Sequence, residues 1–315
     1  MSANPRHVVF GTGAIGLATL DALRRRGETV RMVNRSGFAP VPDGVEVVGG
    51  DAADPAFTIA VARGAKVVYQ TLNPPYERWA EQFPALQDGV LAAAEAAGAR
   101  MVSMENVYMY GRAAGRPLTE DRAYAAHTKK GRLRGEMARR LLDNRRVEVA
   151  IGRASDYFGP RGGAQSNLGD RLFPAAMAGK TAPVLGDPDQ PHTYTYIPDI
   201  GEGLAVLGEH PAAAGRVWHL PNDPDTRTTR ALVRAVLPHA RIRQLPPIML
   251  RLAGLTNPAV REILEMAYLF EEPFVVDSSA IAAELGVRAT PVEQALGETF
   301  ATYRLVAGRS GGAAR

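Results

Sequence analysis

Short apolar runs alternate with amphipathic stretches through the first half of this chain. Val8, Val9 and Phe10 form a run of strand length that Gly11 closes. Ala14 to Arg26 then has helical spacing and ends at Gly27. Val30, Met32 and Val33 predict a second strand, and VEVVGG a third that ends at Gly49, Gly50 and Asp51. Lys66 to Gln70 predicts a fourth, broken at Pro74 and Pro75. Trp79 to Ala97 reads as a helix stopped by Gly98, and ARMVSMENVYMYG as the next strand and its loop. An arginine-rich stretch from Arg122 to Arg146 carries Leu133, Met137 and Leu141 at four-residue spacing, so one side of a helix there is buried. Glu136 on that helix is placed to pair with Arg132 or Arg140. VEVAIGRASDYFGP supplies another strand. Strands spaced by helices predict an α/β fold, a Rossmann-type doubly wound parallel sheet. Beyond Gly159 the pattern loosens into loops, followed by a Leu- and Met-rich helical section from Pro247 to Phe270.

The junction of the first strand and helix carries chemistry. Gly11, Gly13 and Gly16 make G-x-G-x-x-G, with Thr12, Ala14 and Ile15 between them. Gly11 allows a tight turn, Gly13 lets the backbone approach a pyrophosphate, and Gly16 lets the helix lie close to the strand. The helix start offers free N–H groups and a positive dipole end to phosphates. A glycine turn of an ordinary α/β protein is the plainer reading, but strand, turn and helix stand in the order the motif needs. An acidic residue at the end of the second strand would bond a ribose 2′-OH and repel a 2′-phosphate. Asn34, Arg35 and Ser36 stand there instead. Arg35 offers a planar, permanently charged fork and Ser36 a hydroxyl, so NADP(H) is favoured over NAD(H).

Composition removes other possibilities. The 315 residues are 46% hydrophobic and include no cysteine, so disulfides, thiolate nucleophiles and cysteine metal sites are absent, and no metal site is expected. No apolar run is long enough to span a membrane, and MSANPRH has no signal-like pattern, so a cytoplasmic protein is expected. The net charge of +4 raises nucleic acid as a partner. The arginine-rich stretch is better read as a solvated helical face, because no aromatic platform accompanies it. A small-molecule substrate or ligand is the expected partner, and a homodimer is left open.

In order and spacing, further segments resemble the extended short-chain dehydrogenases/reductases of the NAD-dependent epimerase/dehydratase type. GGDAAD, VSMENVYMYG, PLTEDRAY, GRASDYFGP, YTYIPDIGEGL and VDSSAIAAELGVRATPVEQAL carry the resemblance over nearly the full length. It implies a dinucleotide-binding core over 1–160 and a mainly substrate-binding region over 161–306, some of whose elements return to the core. The small, polar end, 307–315, is expected to be disordered. It places Gly11–Gly16, Asn34–Ser36, Asp51, Ala52, Thr71, Leu72, Asn73, Arg132 and Ala154 at the cofactor.

The family's chemistry uses a Tyr and a Lys four apart on one helix, plus a Ser or Thr. Lys lowers the phenol pKa so that it can exchange a proton near neutral pH. Aligned on Glu136, Thr128 stands at the Tyr position and Arg132 at the Lys position. Aligned on Val107 and Tyr108, Met104 stands at the Ser position. The resemblance therefore implies an atypical member with all three catalytic positions substituted. Candidate replacement donors are Tyr108, Tyr110, Tyr124, Tyr157 and His192. Nucleotide-sugar enzymes of the family often carry Asn where Asp156 stands and Arg where His192 stands. An anionic Asp156 disfavours a sugar pyrophosphate, and a lone loop histidine is commonly just exposed. The functional expectation is a reductase or related oxidoreductase with displaced acid–base groups, acting on a small molecule of apolar or aromatic type. The alternative is a non-catalytic NADP(H)-binding sensor or interaction protein.

Overall fold

The computed structural model describes residues 5–312. Strands β1 (His7–Phe10), β2 (Val30–Asn34), β3 (Glu46–Gly49), β4 (Val67–Gln70), β5 (Arg100–Glu105) and β6 (Val149–Arg153) alternate with helices α1 (Ala14–Arg25), α2 (Pro55–Val61), α3 (Trp79–Ala97) and α4 (Lys129–Leu142). Three short strands follow, β7 (Asp156–Phe158), β8 (Ala182–Val184) and β9 (Tyr194–Tyr196), with α5 (Phe173–Met177) between the first two. The chain continues through α6 (Ile197–Glu209), β10 (Val217–His219), α7 (Thr229–Val236), β11 (Ile242–Gln244), α8 (Pro247–Thr256), α9 (Pro258–Glu265), α10 (Ser279–Leu285) and α11 (Val292–Gly312).

Seven strands form one parallel sheet in the order β10-β6-β5-β4-β1-β2-β3. Alternation along each strand sends side chains to opposite faces. Val9, Met32, Tyr69 and Val102 pack with Leu20 and Leu23 of α1, Ile200 and Leu204 of α6 and Ile281 of α10. Val8, Phe10, Val68 and Met101 pack with α2, α3 and α4. Helix α6 approaches α1 at Gly201, where a Cβ would lie 2.4 Å from the Ala18 backbone. The strand order reverses between β1 and β4, and ligands of open α/β sheets bind beyond the strand ends at such a switch point.

The expected helix boundaries hold closely for α1 and α3. Gly98 takes φ +61 and caps α3, as glycine does at the end of many helices. The arginine-rich helix is shorter than its sequence stretch: it begins at Lys129, and Ala123–His127 form a loop. Its stripe is as expected, with Met137 and Leu141 buried and Leu133 half-buried. The ion pair proposed for Glu136 does not form: Arg140 pairs with Asp88 at 3.0 Å and Arg132 donates to the His127 carbonyl at 2.7 Å. Two small parallel sheets follow the core, β8 with β11 inside the region from 161, and β9 with β7, which precedes it. The helical section expected from Pro247 to Phe270 is two helices and a turn, divided at Asn257 and Met266. Where a disordered tail from 307 was expected, α11 continues to Gly312. Residues 313–315 lie outside the described part. No described helix is long and apolar enough to cross a membrane.

Candidate functional site

The three glycines answer to different constraints. A Cβ at Gly11 would meet the Thr71 hydroxyl at 2.5 Å, and Gly11 takes φ +114. A Cβ at Gly16 would lie 2.0 Å from the Gly11 carbonyl oxygen. Protein packing alone therefore requires both. Gly13 differs: a Cβ there would meet nothing within 4 Å. It is the N-cap of α1 with no side-chain cap, so the first-turn N–H groups open on free space. That cradle fits a dinucleotide pyrophosphate. Thr71 stitches the turn to β4, donating to the Phe10 carbonyl at 2.9 Å. Leu72 is half-buried and Asn73 exposed just beyond it.

At the end of β2, Asn34 organises the next loop. Its amide nitrogen donates to the Thr12 hydroxyl at 2.8 Å and the Phe38 carbonyl at 2.7 Å. Its amide oxygen accepts from Ser36 N at 3.1 Å and Gly37 N at 2.8 Å. Arg35 projects from this loop exposed, with no ion pair or hydrogen bond among the described residues. Ser36 is held to Asn34 and Phe38. Asp51 is exposed beyond β3 and accepts from Ala53 N, and Ala52 beside it is buried. Ala154 is buried just past β6.

Two of the three expected catalytic positions, Thr128 and Arg132, lie at the start of α4. Thr128 is the N-cap of that helix: its hydroxyl accepts from Gly131 N at 3.1 Å, and it is buried. Arg132 lies one turn on, exposed, with its backbone N–H donated to the Thr128 carbonyl. Met104 stays inside β5 and packs towards α1 and α6. The first residue past that strand is Asn106, whose amide oxygen accepts from Tyr108 N at 3.1 Å. Asn106 was not anticipated; counting four back from Tyr110-Gly111, instead of from Tyr108, points to it. Gly131 allows α4 to close on this loop, since a Cβ there would lie 2.5 Å from the Tyr108 carbonyl.

The tyrosines divide into two groups. The Tyr108 hydroxyl meets the Tyr76 hydroxyl at 2.6 Å, and Tyr76 stacks on Trp79 with centroids 4.8 Å apart. Burial pushes the Tyr76 phenol up to about 12 and Tyr108 well above its ordinary value. Tyr76 escaped the sequence reading because it follows the proline break, although it stands just past the end of β4. Tyr110 and Tyr124 belong instead to a buried polar core. Arg153 donates to Tyr110 at 2.7 Å, to Tyr124, and to Glu105 at 3.1 Å. His219 bonds Tyr110 at 2.8 Å, and Arg134 approaches Glu105 at 3.5 Å. Tyr110 is fully buried in that network.

His192 is neither exposed nor alone. It is 3% exposed, stacked between Phe270 and Phe274 with both centroids 4.7 Å away. Its Nε2 bonds the Asp156 carboxylate at 2.7 Å. Tyr157, next to Asp156, donates to Gln165 at 2.9 Å, and its phenol is raised by burial. The late helices reach the same end of the sheet. Lys130 of α4 is buried between Glu262 and Glu265 of α9, 3.0 Å from the second, with its ammonium over the Tyr76 ring. Only part of the Leu- and Met-rich section joins this cluster. Met266, Tyr268, Leu269 and Phe270 pack with Trp79 and Tyr108, whereas Ile248, Met249, Leu252 and Leu255 of α8 stay exposed.

The signature of the NAD dependent epimerase/dehydratase family matches residues 8–220. The chain belongs to this family. No curated protein sequence matches it. Solved structures share the fold over almost the whole length of both chains. One is a dTDP-glucose 4,6-dehydratase from Streptomyces venezuelae with NAD bound: TM-score 0.76, 20% identity, 96% of this chain and 98% of that one. A UDP-glucose 4-epimerase from Thermotoga maritima with UDP-glucose gives 0.76 and 13%, covering 95% and 99%. MoeE5 in complex with UDP-glucose and NAD gives 0.74 and 18%, with the same coverage. Within the family's pattern, the two departures noted in sequence, Asp156 and His192, turn out to be bonded to each other.

Proposed function

We propose that this epimerase/dehydratase-family chain is an NADP(H)-dependent oxidoreductase that works as a reductase on a small molecule. The observation that carries the reading is the open space at Gly13 beside an exposed, unpartnered Arg35. Gly13, Ala14 and Ile15 would hold the pyrophosphate through backbone N–H groups, and Asp51 and Ala52 would flank the adenine end. Arg35, with Asn34 shaping its loop, would take a 2′-phosphate, where an acidic side chain would repel it. The bound nicotinamide would supply hydride exchange with a substrate carbon.

The remaining work falls to the chain's own groups. Thr128 accepts from Gly131 N with one of its hydroxyl lone pairs and caps the helix, and with no accessible charge change near pH 7 it does not serve as the acid–base group. Arg132 carries a fixed charge suited to a ribose or phosphate. The Tyr76–Tyr108 hydroxyl pair stays protonated at neutral pH, so it donates hydrogen bonds and does not act as a base. Asn106 presents an amide nitrogen that donates no hydrogen bond among the described residues. It stands where a substrate oxygen or nitrogen would find a donor. The test is to incubate the protein with NADPH and panels of aldehydes, ketones, enones and imines while following cofactor absorbance. Consumption with any one class supports the reading. Tight NADPH binding without consumption would return the protein to the non-catalytic alternative.

A further inference from the structure

We propose that His7, Glu28 and Glu209 form a binding site for a divalent transition ion of the Zn²⁺ type. The site lies at the end of the sheet away from the Gly13 turn and uses none of the residues assigned to the cofactor. The expectation of no metal site rested on the missing cysteines, and this ligand set needs none. His7 opens β1, Glu28 lies in the loop between α1 and β2, and Glu209 closes α6. One donor atom from each lies within 4.8 Å of the other two. His7 is fully buried, and its Nε2 faces both carboxylates, 3.2 Å from Glu28 and 3.9 Å from Glu209. It forms a hydrogen bond with neither, nor with any other described residue. A buried ring nitrogen left unbonded is costly, and a metal ion would use its lone pair. Ligand atoms around a tetrahedral zinc stand about 3.4 Å apart, given bonds of about 2.0–2.1 Å. The His7–Glu28 spacing is close to that, and Glu209 has to close by roughly half an ångström.

The other ring nitrogen is held as a metal ligand requires. His7 Nδ1 lies 3.1 Å from the Tyr69 hydroxyl. Burial raises the Tyr69 phenol, so it stays protonated. With Nδ1–H donated to the Tyr69 oxygen, the Nε2 lone pair points at the carboxylates. Burial also lowers the His7 pKa, which leaves the ring in the neutral, ligating form at pH 7. Helix α6 fixes both partners. A Cβ at Gly208 would lie 2.1 Å from the Tyr69 hydroxyl oxygen, so the helix closes directly on it. Arg100 donates to the carbonyls of Leu207, Gly208 and His210 at 3.3, 3.4 and 2.7 Å, holding the turn that carries Glu209.

The cations around the site leave room for an ion. Arg26 donates to Glu202 through both terminal nitrogens, and only its Nε faces Glu209, 3.5 Å from the oxygen turned away from His7. Arg6 stands 3.4 Å from Glu28 on a side chain 58% exposed, free to swing into solvent. Arg100 is bonded to Glu148, and Lys66 is exposed. A cavity of about 610 Å³ reaches His7 and Glu209. The Glu28 and Glu209 side chains are 19% and 29% exposed, so an ion can enter and keep a water as its fourth ligand. One imidazole with two carboxylates suits Zn²⁺ better than Mg²⁺ or Ca²⁺, which take oxygen ligands. The ion would tie β1, the α1–β2 loop and the end of α6 together, a structural clasp with no part in hydride transfer.

The test is a calorimetric titration of the untagged, EDTA-treated whole protein with zinc chloride, paired with thermal unfolding. We expect one ion per chain and a higher unfolding temperature with Zn²⁺, neither of them reproduced by Mg²⁺ at the same concentration. Glu28→Gln and Glu209→Gln, at partly exposed positions, should each weaken binding at least tenfold, and His7→Gln should abolish it. His210→Gln should bind as the parent does; this histidine adjoins Glu209, but its Nδ1 accepts from Ala212 N. Absence of binding, an equal response to Mg²⁺, or unchanged affinity in Glu28→Gln or Glu209→Gln would overturn the proposal. So would loss of binding in His210→Gln, which would mark surface chelation. If His7→Gln fails to fold, the two glutamate variants decide.

Discussion

Gly13 and Gly16 are interchangeable as letters of a motif but not as positions in space. A methyl at Gly16 would be driven into the Gly11 carbonyl, so Gly16→Ala should lower the unfolding temperature strongly, whatever ligand is present. A side chain at Gly13 meets only open space, so Gly13→Val should fold normally and lose cofactor affinity at least tenfold. Thermal unfolding and a cofactor titration on the two variants separate the roles; a Gly13→Val protein with full affinity would remove the turn from the site. Thr128→Ala should cost about 1 kcal/mol of stability, as loss of an N-cap does, and should keep most of any activity. A thousand-fold rate loss, about 4 kcal/mol in the barrier, would make Thr128 catalytic after all. At this scale the motif residues were legible because their spacing is local. The partnership of His192 with Asp156 was not, because 36 residues separate them in the chain and only the meeting of the loop before β9 with β7 joins them.

Helices α8 and α9 cross to the Rossmann end of the molecule through one ionic clasp, Lys130 between Glu262 and Glu265, with Glu265 also accepting from the backbone at Lys129. Lys130 is 4% exposed on its side chain, so removing it leaves two carboxylates facing each other without compensation. Lys130→Met should therefore raise amide exchange across 247–265 by tenfold or more, about 1.4 kcal/mol of local stability, while exchange in β1 and β4 stays unchanged. Unaltered protection in 247–265 would show that apolar packing alone holds the pair. The sequence showed that this section is apolar and helical. It did not show that α8 turns Ile248, Leu252 and Leu255 to the outside, because a helical stripe reports its own periodicity and not what lies against it.

The molecule as a whole carries a pH dependence through His219, which ties Tyr110 and the edge strand β10 to the buried Arg153 core. Burial lowers its pKa from 6.5 to about 4. Below about 6.5 the unfolded chain gains a proton that the folded chain refuses until about 4, so this group makes stability fall with acidification across that window. The full effect is about 3 kcal/mol. Urea unfolding at pH 7 and pH 4.5 should show a drop that His219→Gln reduces; an equal drop in both proteins would assign it to other groups, such as His7, whose pKa burial also lowers. The parallel sheet was legible for six strands because each is an apolar run before or after a helix. β10 was not, since Val217–His219 is three residues long and becomes a strand only by pairing with β6. The cofactor end depends on that sheet being built as read, and it is open to direct measurement. Titrating NADPH and NADH calorimetrically into the parent and into Arg35→Ala tests it. The expected result is at least tenfold preference for NADPH in the parent, largely lost in the variant while NADH affinity is kept. Equal affinities in the parent, or a preference that survives Arg35→Ala, would contradict it.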